Sequence, residues 1–129
     1  MKYNFYNMIS NIKNGQLSKK SVVYQKRTKI CELILKTLWD EGFIIGYKTS
    51  TKNKDTSKIF LKYFKNGKSS ITNIKFISKP GRRIYYSIKQ IWKLNSKKNI
   101  IIFSTNKGIK TIKDCKKLKI GGEPLLIIN

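Results

Sequence analysis

Chemistry near neutral pH needs acids, bases, nucleophiles or metal ligands, and this chain offers few of them. It has no histidine, two cysteines and six carboxylates: Glu32, Asp40, Glu41, Asp55, Asp114 and Glu123. Asp40 and Glu41 are adjacent, so on a helix they project about 100° apart and do not converge. Cys31 and Cys115 are too far apart in sequence for a metal motif, and neither CxxC nor HExxH occurs. The GxxxxGK phosphate loop and the GxGxxG fingerprint are also missing. With so little general acid–base equipment, the chain is expected to be no enzyme, with no cofactor, no metal and no small-molecule substrate.

Cations are what the chain does offer. Twenty-nine Lys plus Arg stand against six Asp plus Glu, a formal charge of +23 at pH 7. Self-repulsion of that size destabilises a compact state unless an anionic partner neutralises it. A surface kept basic only for solubility would mix both signs and carry far less net charge. A membrane-bound protein would need a basic amphipathic helix with a broad apolar face, and none stands out. Nucleic acid is the expected partner, and no membrane partner is expected.

Two clusters carry the most specific chemistry. Ser104-Thr105-Asn106-Lys107-Gly108 leaves an apolar run as a polar loop with two hydroxyls, an amide, an ammonium and open backbone N–H groups. Such groups can bond to phosphates, 2′-hydroxyls and base edges of irregular RNA; the same residues also serve as ordinary turn filler. Lys79, Arg82 and Arg83 flank Pro80-Gly81, with Tyr85 and Tyr86 beside them. Two of the three arginines fall here, and a guanidinium offers phosphate a planar fork and can stack on bases. The alternative is core tyrosines beside solubilising arginines. Lys19-Lys20, Lys97-Lys98 and Lys116-Lys117 read as solvated faces whose sum attracts RNA non-specifically. Glu123 stands out in a chain so poor in acids, and its plain reading is a strand-end residue paired with a lysine.

The elements that must position these residues can be read from periodicity. With 40% apolar residues over 129 positions, the chain is too apolar to remain disordered and long enough for one domain or two small ones. Phe5, Met8, Ile9 and Ile12 predict a helix over residues 4–14, with Gly15 as its C-terminal cap. Ser21-Gln25 reads as a short strand. Thr28 is placed to cap a second helix, with Glu32 in its early turns and Ile30, Leu33, Ile34, Leu38 and Trp39 as the buried face. Residues 43–49 and 58–64 read as strands, and Asn66-Gly67 as a hairpin turn returning into 71–77. Lys79-Pro80-Gly81 is the expected boundary between subdomains 1–79 and 80–129. Beyond it come strand-like 82–87, a helical turn at 88–94, a buried strand at Ile100–Phe103 and a strand resuming at Ile109. A helix opening on Thr111 and Asp114, with Cys115 and Leu118 inward and Gly121-Gly122 as its stop, precedes a last strand at Leu125–Ile128. The expected class is α/β of the α+β kind, two small subdomains with helices on short mixed sheets. The cysteines read as buried, reduced thiols.

The chain resembles the small-subunit ribosomal protein eight family along nearly its whole length. The matching pieces, in the family's order, are Ile9-Ser10-Asn11-Ile12-Lys13-Asn14-Gly15-Gln16, Glu41-Gly42-Phe43-Ile44 and Leu61-Lys62-Tyr63-Phe64. They continue with Ser78-Lys79-Pro80-Gly81-Arg82-Arg83-Ile84-Tyr85, Phe103-Ser104-Thr105-Asn106-Lys107-Gly108 and Gly121-Gly122-Glu123. Thr51–Ser57 and Asn95–Asn99 match poorly. The resemblance implies a structural constituent of the small ribosomal subunit that binds the central domain of its RNA, beside neighbouring ribosomal proteins, and supports assembly. It carries binding onto Ser104, Thr105, Lys107 and Gly108, with Asn106 departing from the family's usual Ser. The same resemblance implies that Tyr85 and Glu123 support that loop and that Lys13, Asn14, Thr28 and Lys29 supply contacts from the N-terminal half. A free-standing RNA-binding regulator is the alternative.

Residue choice bears on location. Lys outnumbers Arg by 26 to three and Ala is absent, a preference for AT-rich codons that suggests an organellar genome. A mitochondrial ribosome in the matrix is expected, with a plastid or the cytoplasm of an AT-rich bacterium as alternatives. The start, Met1-Lys2-Tyr3-Asn4, reads as neither a signal nor a transit peptide.

Overall fold

The amphipathic spacing at the start of the chain forms a helix, and it runs past the glycine expected to end it. Helix α1 spans Phe5–Leu17 and buries Phe5, Met8, Ile9 and Ile12 together with Gly15. In this computed structural model, residues 5–52, 54–71, 73–78, 81–94 and 100–128 are described. Gly15 is not a cap. A Cβ there would meet Val23 Cγ1 at 2.5 Å and Leu61 Cδ1 at 3.1 Å, so the residue is small because the helix lies against strands. The left-handed position after the helix belongs to Lys19, at φ 58°.

Two compact units divide the chain, Met1–Ile71 and Thr72–Asn129. In the first, α1 is followed by β1 (Val22–Lys26), α2 (Lys29–Asp40), β2 (Ile44–Thr49) and β3 (Thr56–Leu61). The sheet order is β1-β3-β2, antiparallel throughout. Thr28 caps α2 as expected, its hydroxyl accepting from Cys31 N at 3.3 Å. The buried face of α2 is Cys31, Ile34, Leu35 and Leu38. It is turned from the expected stripe: Leu33 is 40% and Trp39 53% exposed. Both stripes satisfy helical spacing, and treating Cys31 as a small hydrophobe decides between them. On β3, Ser57, Ile59 and Leu61 alternate inward.

Asn66-Gly67 does make a turn, with Gly67 at φ +84° and Phe64 N bonded to Lys68 O. The expected return strand fails, because pairing is reduced to one bridge, Tyr63 with Ser69. Residues 74–76 serve another sheet. As β4 (Ile74–Phe76) they pair with β7 (Glu123–Ile128), whose apolar run needs a partner on each side.

The second unit continues with α3 (Ile88–Lys93), β5 (Ile100–Thr105), β6 (Gly108–Thr111) and α4 (Ile112–Leu118). Its order is β4-β7-β5-β6, and every pairing is antiparallel, so neither sheet is mixed. Ser87 and Gln90 form a capping box on α3, and Thr111 caps α4 by accepting from Asp114 N. Ile91, Ile101, Phe103, Ile112 and Cys115 form the core. Leu118, expected inward, is 42% exposed, and Ile112 takes its place. Residues 82–87 form no strand, only isolated bridges at Arg82 and at Tyr86, the latter with Gly122. Lys119, at φ 58° and ψ 47°, ends α4, which frees Gly121-Gly122 for another task. Among the described residues, no helix is long and apolar enough to cross a membrane. Lys79, Pro80 and Asn95–Asn99, with Lys97 and Lys98, lie outside the described residues.

Candidate nucleic-acid interface

Strands β5 and β6 are joined by a two-residue turn, Asn106-Lys107, and it presents the polar cluster singled out by sequence. Thr105 pairs with Gly108, leaving Asn106 and Lys107 at the exposed tip. Neither tip residue has positive φ; the left-handed residue is Gly108, at φ +106°. That is the pattern of a turn closed by a left-handed glycine, where a side chain would be strained. The Thr105 hydroxyl ties the loop across itself. Its Oγ1 donates to Gly108 O at 2.7 Å and accepts from Lys107 N at 3.1 Å. The side chain therefore orders the loop that carries the exposed amide and ammonium.

Gly121-Gly122 explain how other candidates come to this hairpin. Gly122 exchanges two backbone hydrogen bonds with Tyr86, of 2.9 and 3.0 Å. A Cβ on Gly122 would lie 2.8 Å from Thr105 Cγ2 and 2.9 Å from Ser104 O. On Gly121 it would lie 2.6 Å from Tyr86 O and 3.1 Å from the Tyr85 hydroxyl. Only bare backbone fits between the Tyr85-Tyr86 segment and the hairpin. Tyr85, 68% exposed, then edges a groove of about 280 Å³ with Ser104, Thr105, Asn106, Ile120 and Gly121. An exposed tyrosine ring above a polar loop can stack on a splayed base while the loop bonds to its backbone.

The acidic outlier is also resolved. Glu123 sits opposite Ser104 in the β5–β7 register and is 7% exposed. Arg83 donates to it twice, Nε to Oε2 at 2.7 Å and Nη2 to Oε1 at 3.2 Å. The partner is an arginine rather than the lysine of the plain reading. Such a fork fixes the guanidinium plane, and the Arg83 side chain remains 52% exposed. Ser78 Oγ accepts from Ile84 N at 3.3 Å, holding the segment that presents Arg82 and Arg83. Arg82 is exposed.

Thus Tyr85, Ser104, Thr105 and Asn106 share one groove face of the second unit, with Lys107 and Gly108 on the same hairpin and Glu123, held by Arg83, opposite Ser104. The sequence reading did not include Gly121, Gly122 and Ile120 in this face. The paired glycines were a usable signal, since two together exceed what one helix stop requires.

The N-terminal candidates lie on separate elements of the first unit. Lys13 and Asn14 are exposed near the end of α1, while Thr28 and Lys29 open α2. Thr28 is committed to capping. With Lys29, Arg27, Glu32, Lys54 and Asp55 it lines a groove of about 340 Å³, in which Arg27 is tied to Glu32 Oε1 at 2.7 Å and to Lys54 O at 3.0 Å.

Neither thiol is suited to nucleophilic chemistry. Both cysteines are free and buried. Burial pushes the Cys31 thiol up, and pushes Cys115 up to about 11, with the Asp114 carboxylate adding to it.

Comparison with known proteins gives this geometry a context. The model of the family described as ribosomal protein S8 matches residues 4–128. The chain is 38% identical over 121 residues to the small ribosomal subunit protein uS8 of Pseudomonas fluorescens (strain SBW25), covering 94% of this chain and 92% of that one. It is 38% identical over 122 residues to its counterpart in Blochmanniella pennsylvanica (strain BPEN), covering 95% and 93%. To that of Malacoplasma penetrans (strain HF-2) it is 40% identical over 123 residues, covering 94% and 93%.

Proposed function

The chain belongs to the ribosomal protein S8 family, and from that premise we propose that it is a structural constituent of the small ribosomal subunit that binds the central domain of its RNA and supports assembly. The role is structural rather than enzymatic. The observation that carries the reading is the Thr105–Gly108 hairpin, ordered by its own hydroxyl and flanked by Tyr85 and the Arg83–Glu123 fork.

The mechanism has two layers. The charge of +23 neutralises phosphate and draws in RNA of any sequence. The hairpin face then selects one irregular helix by shape, with Asn106 and Lys107 bonding to its backbone and base edges, and Tyr85 stacking. Glu123 takes part indirectly, because it aims Arg83. Lys13, Asn14 and Lys29 add contacts from the first unit, and neighbouring small-subunit proteins complete the site's surroundings.

AT-biased residue choice supports a mitochondrial ribosome as the location. The bacterial relatives favour a second reading, the cytoplasm of an AT-rich bacterium.

Sedimentation tests the proposal. The protein should travel with small subunits through a high-salt gradient, and its affinity for free central-domain RNA should fall steeply with salt, by roughly 0.7–0.9 in log–log slope per phosphate neutralised. Protein that binds RNA yet never sediments with small subunits would instead be a free-standing regulator. A flat salt response would remove phosphate neutralisation from the account.

A further inference from the structure

We infer that the outward face of the three-stranded sheet in the first unit is a second RNA contact, a stacking platform for unpaired bases built from Tyr24 and Phe60 and flanked by Lys26, Lys48 and Lys58. The inference goes beyond the hairpin face, on which it does not depend.

The register defines the face. Val23 and Ile59 are paired and buried on the inward side, where β1 and β3 meet α1. One residue along, Tyr24 pairs with Lys58, and Lys58 pairs with Lys48 on the other side. These side chains share the opposite face, because successive residues of a strand alternate. Phe60 lies on the same face two residues beyond Lys58, and Lys26 two beyond Tyr24. Among the described residues of these three strands there is no carboxylate.

Three features make this face unusual for a surface left to water. Tyr24 is 55% exposed, so a large ring stands on this sheet face with more than half of its surface in contact with water. Lys48 and Lys58 are directly opposite each other, and like charges at such a pair are destabilising. An anion laid across them relieves that cost. Both ammonium groups hang over the Phe60 ring, 5.8 and 5.3 Å from its centroid, where phosphates on either side of a stacked base could receive them. The register also shifts between Ile44 and Gly46, a bulge that sets Gly46 beside Phe60 with no atom within 4 Å of a would-be Cβ. Space is thereby left open next to the ring.

Spacing favours single-stranded over duplex RNA. Diagonal neighbours on an antiparallel pair, as Tyr24 and Phe60 are, stand about 7–8 Å apart. That is roughly twice the 3.4 Å advance per nucleotide in a stacked helix. Two successive bases can each rest on a ring only when unstacked from one another, as in a loop or bulge. Charge complementarity selects a polyanion, and the two rings select one with accessible bases.

Full-length protein would be titrated with a short labelled oligoadenylate single strand and with a short RNA duplex, at one salt concentration. Tyr24→Ala should weaken the single strand by about fivefold or more, the low end for loss of a base-stacking ring, and change the duplex less than about twofold. Phe60→Leu, which keeps apolar bulk, should do the same, with melting unchanged for Tyr24→Ala as the check on folding. Lys48→Gln should weaken both RNAs to a similar small extent. Ring protons of Tyr24 should shift upfield with oligoadenylate and not with duplex. Unchanged single-strand affinity in Tyr24→Ala would overturn the inference, as would equal losses on both RNAs. A Tyr24→Ala defect confined to association with another protein would assign the face to that partner and also overturn it. Sedimentation with small subunits through the hairpin face is a separate readout, so the two readings can fail independently.

Discussion

Thr105→Val removes one hydroxyl while keeping the β-branched shape, and the structure says where the loss falls. The hydroxyl donates to Gly108 O and accepts from Lys107 N. Its single proton is therefore committed inside the loop, and toward RNA it can act only as an acceptor. Each such bond stabilises by about 0.5–1.5 kcal/mol net. Lys107 and Gly108 are exposed, so water replaces both bonds and the low end applies. Global stability should drop by less than about 1 kcal/mol. RNA binding loses more, because the complex must re-order the hairpin and forgo the acceptor. A loss of about 1–2 kcal/mol, or roughly five- to thirtyfold in affinity, is expected for the central-domain RNA. Binding to an unrelated duplex should barely change, since it depends on lysines and phosphate. Thr105→Ser keeps the hydroxyl and should stay within about threefold of wild type. The assay measures both variants against both RNAs at one fixed salt, with circular dichroism as the folding control. Equal losses on the two RNAs, or a serine variant as weak as valine, would refute the claim that this hydroxyl orders a specificity loop.

Further perturbations test the seat of α1, the Arg83–Glu123 fork and the buried thiol of Cys115. Gly15→Ala must push α1 away from Val23 and Leu61, and should cost about 1–3 kcal/mol as an overpacked core does; a chemical denaturation midpoint equal to wild type would show that α1 is not so closely seated. Glu123→Gln removes one charge of the fork to Arg83, whose exposure limits the stability loss to about 1 kcal/mol, and Arg83→Lys should impair central-domain RNA binding more than unrelated-duplex binding; equal effects would mean the fork is structural only. Cys115, whose thiol is pushed up to about 11 by burial and Asp114, should resist alkylation in the native protein at pH 8 and react fully in denaturant. Because its proton is held more tightly in the folded state, this group contributes stability that is lost as pH rises from the ordinary thiol value of 9.0 toward 11. Rapid native-state labelling at pH 8 would contradict the burial.

Local chemistry was legible in the sequence and tertiary adjacency was not. Thr28 and Thr111 cap helices through bonds to residues three positions on, so their role is written within one helical turn. Gly15, Gly121 and Gly122 looked like helix stops, because the strands and loops that forbid a Cβ at each are distant in sequence. Lysines at 19 and 119 took the left-handed positions instead. The partner of β4 was illegible for the same reason. The Asn66-Gly67 turn promised a hairpin, yet β7 offered an apolar edge that residues 74–76 could cover. For the site, the loop at 104–108 was recognisable from its hydroxyls, Gly108 and the apolar run before it. That Glu123 would meet Arg83 could be learned only from the docking of the Tyr85-Tyr86 segment on Gly122, the residue before Glu123.

Directed cleavage tests the central claim most directly. Asn106→Cys places an exposed thiol at the hairpin tip, while Cys31 and Cys115 are buried and do not compete. With a tethered iron chelate at that position, the protein is bound to small ribosomal subunits and hydroxyl radicals are generated from the iron. Strand breaks confined to a narrow stretch of the central domain of small-subunit RNA are the predicted result. Breaks scattered over the RNA surface, or none while the same chelate placed at an exposed site in the first unit cuts efficiently, would contradict the assignment of the hairpin as the face that reads the RNA.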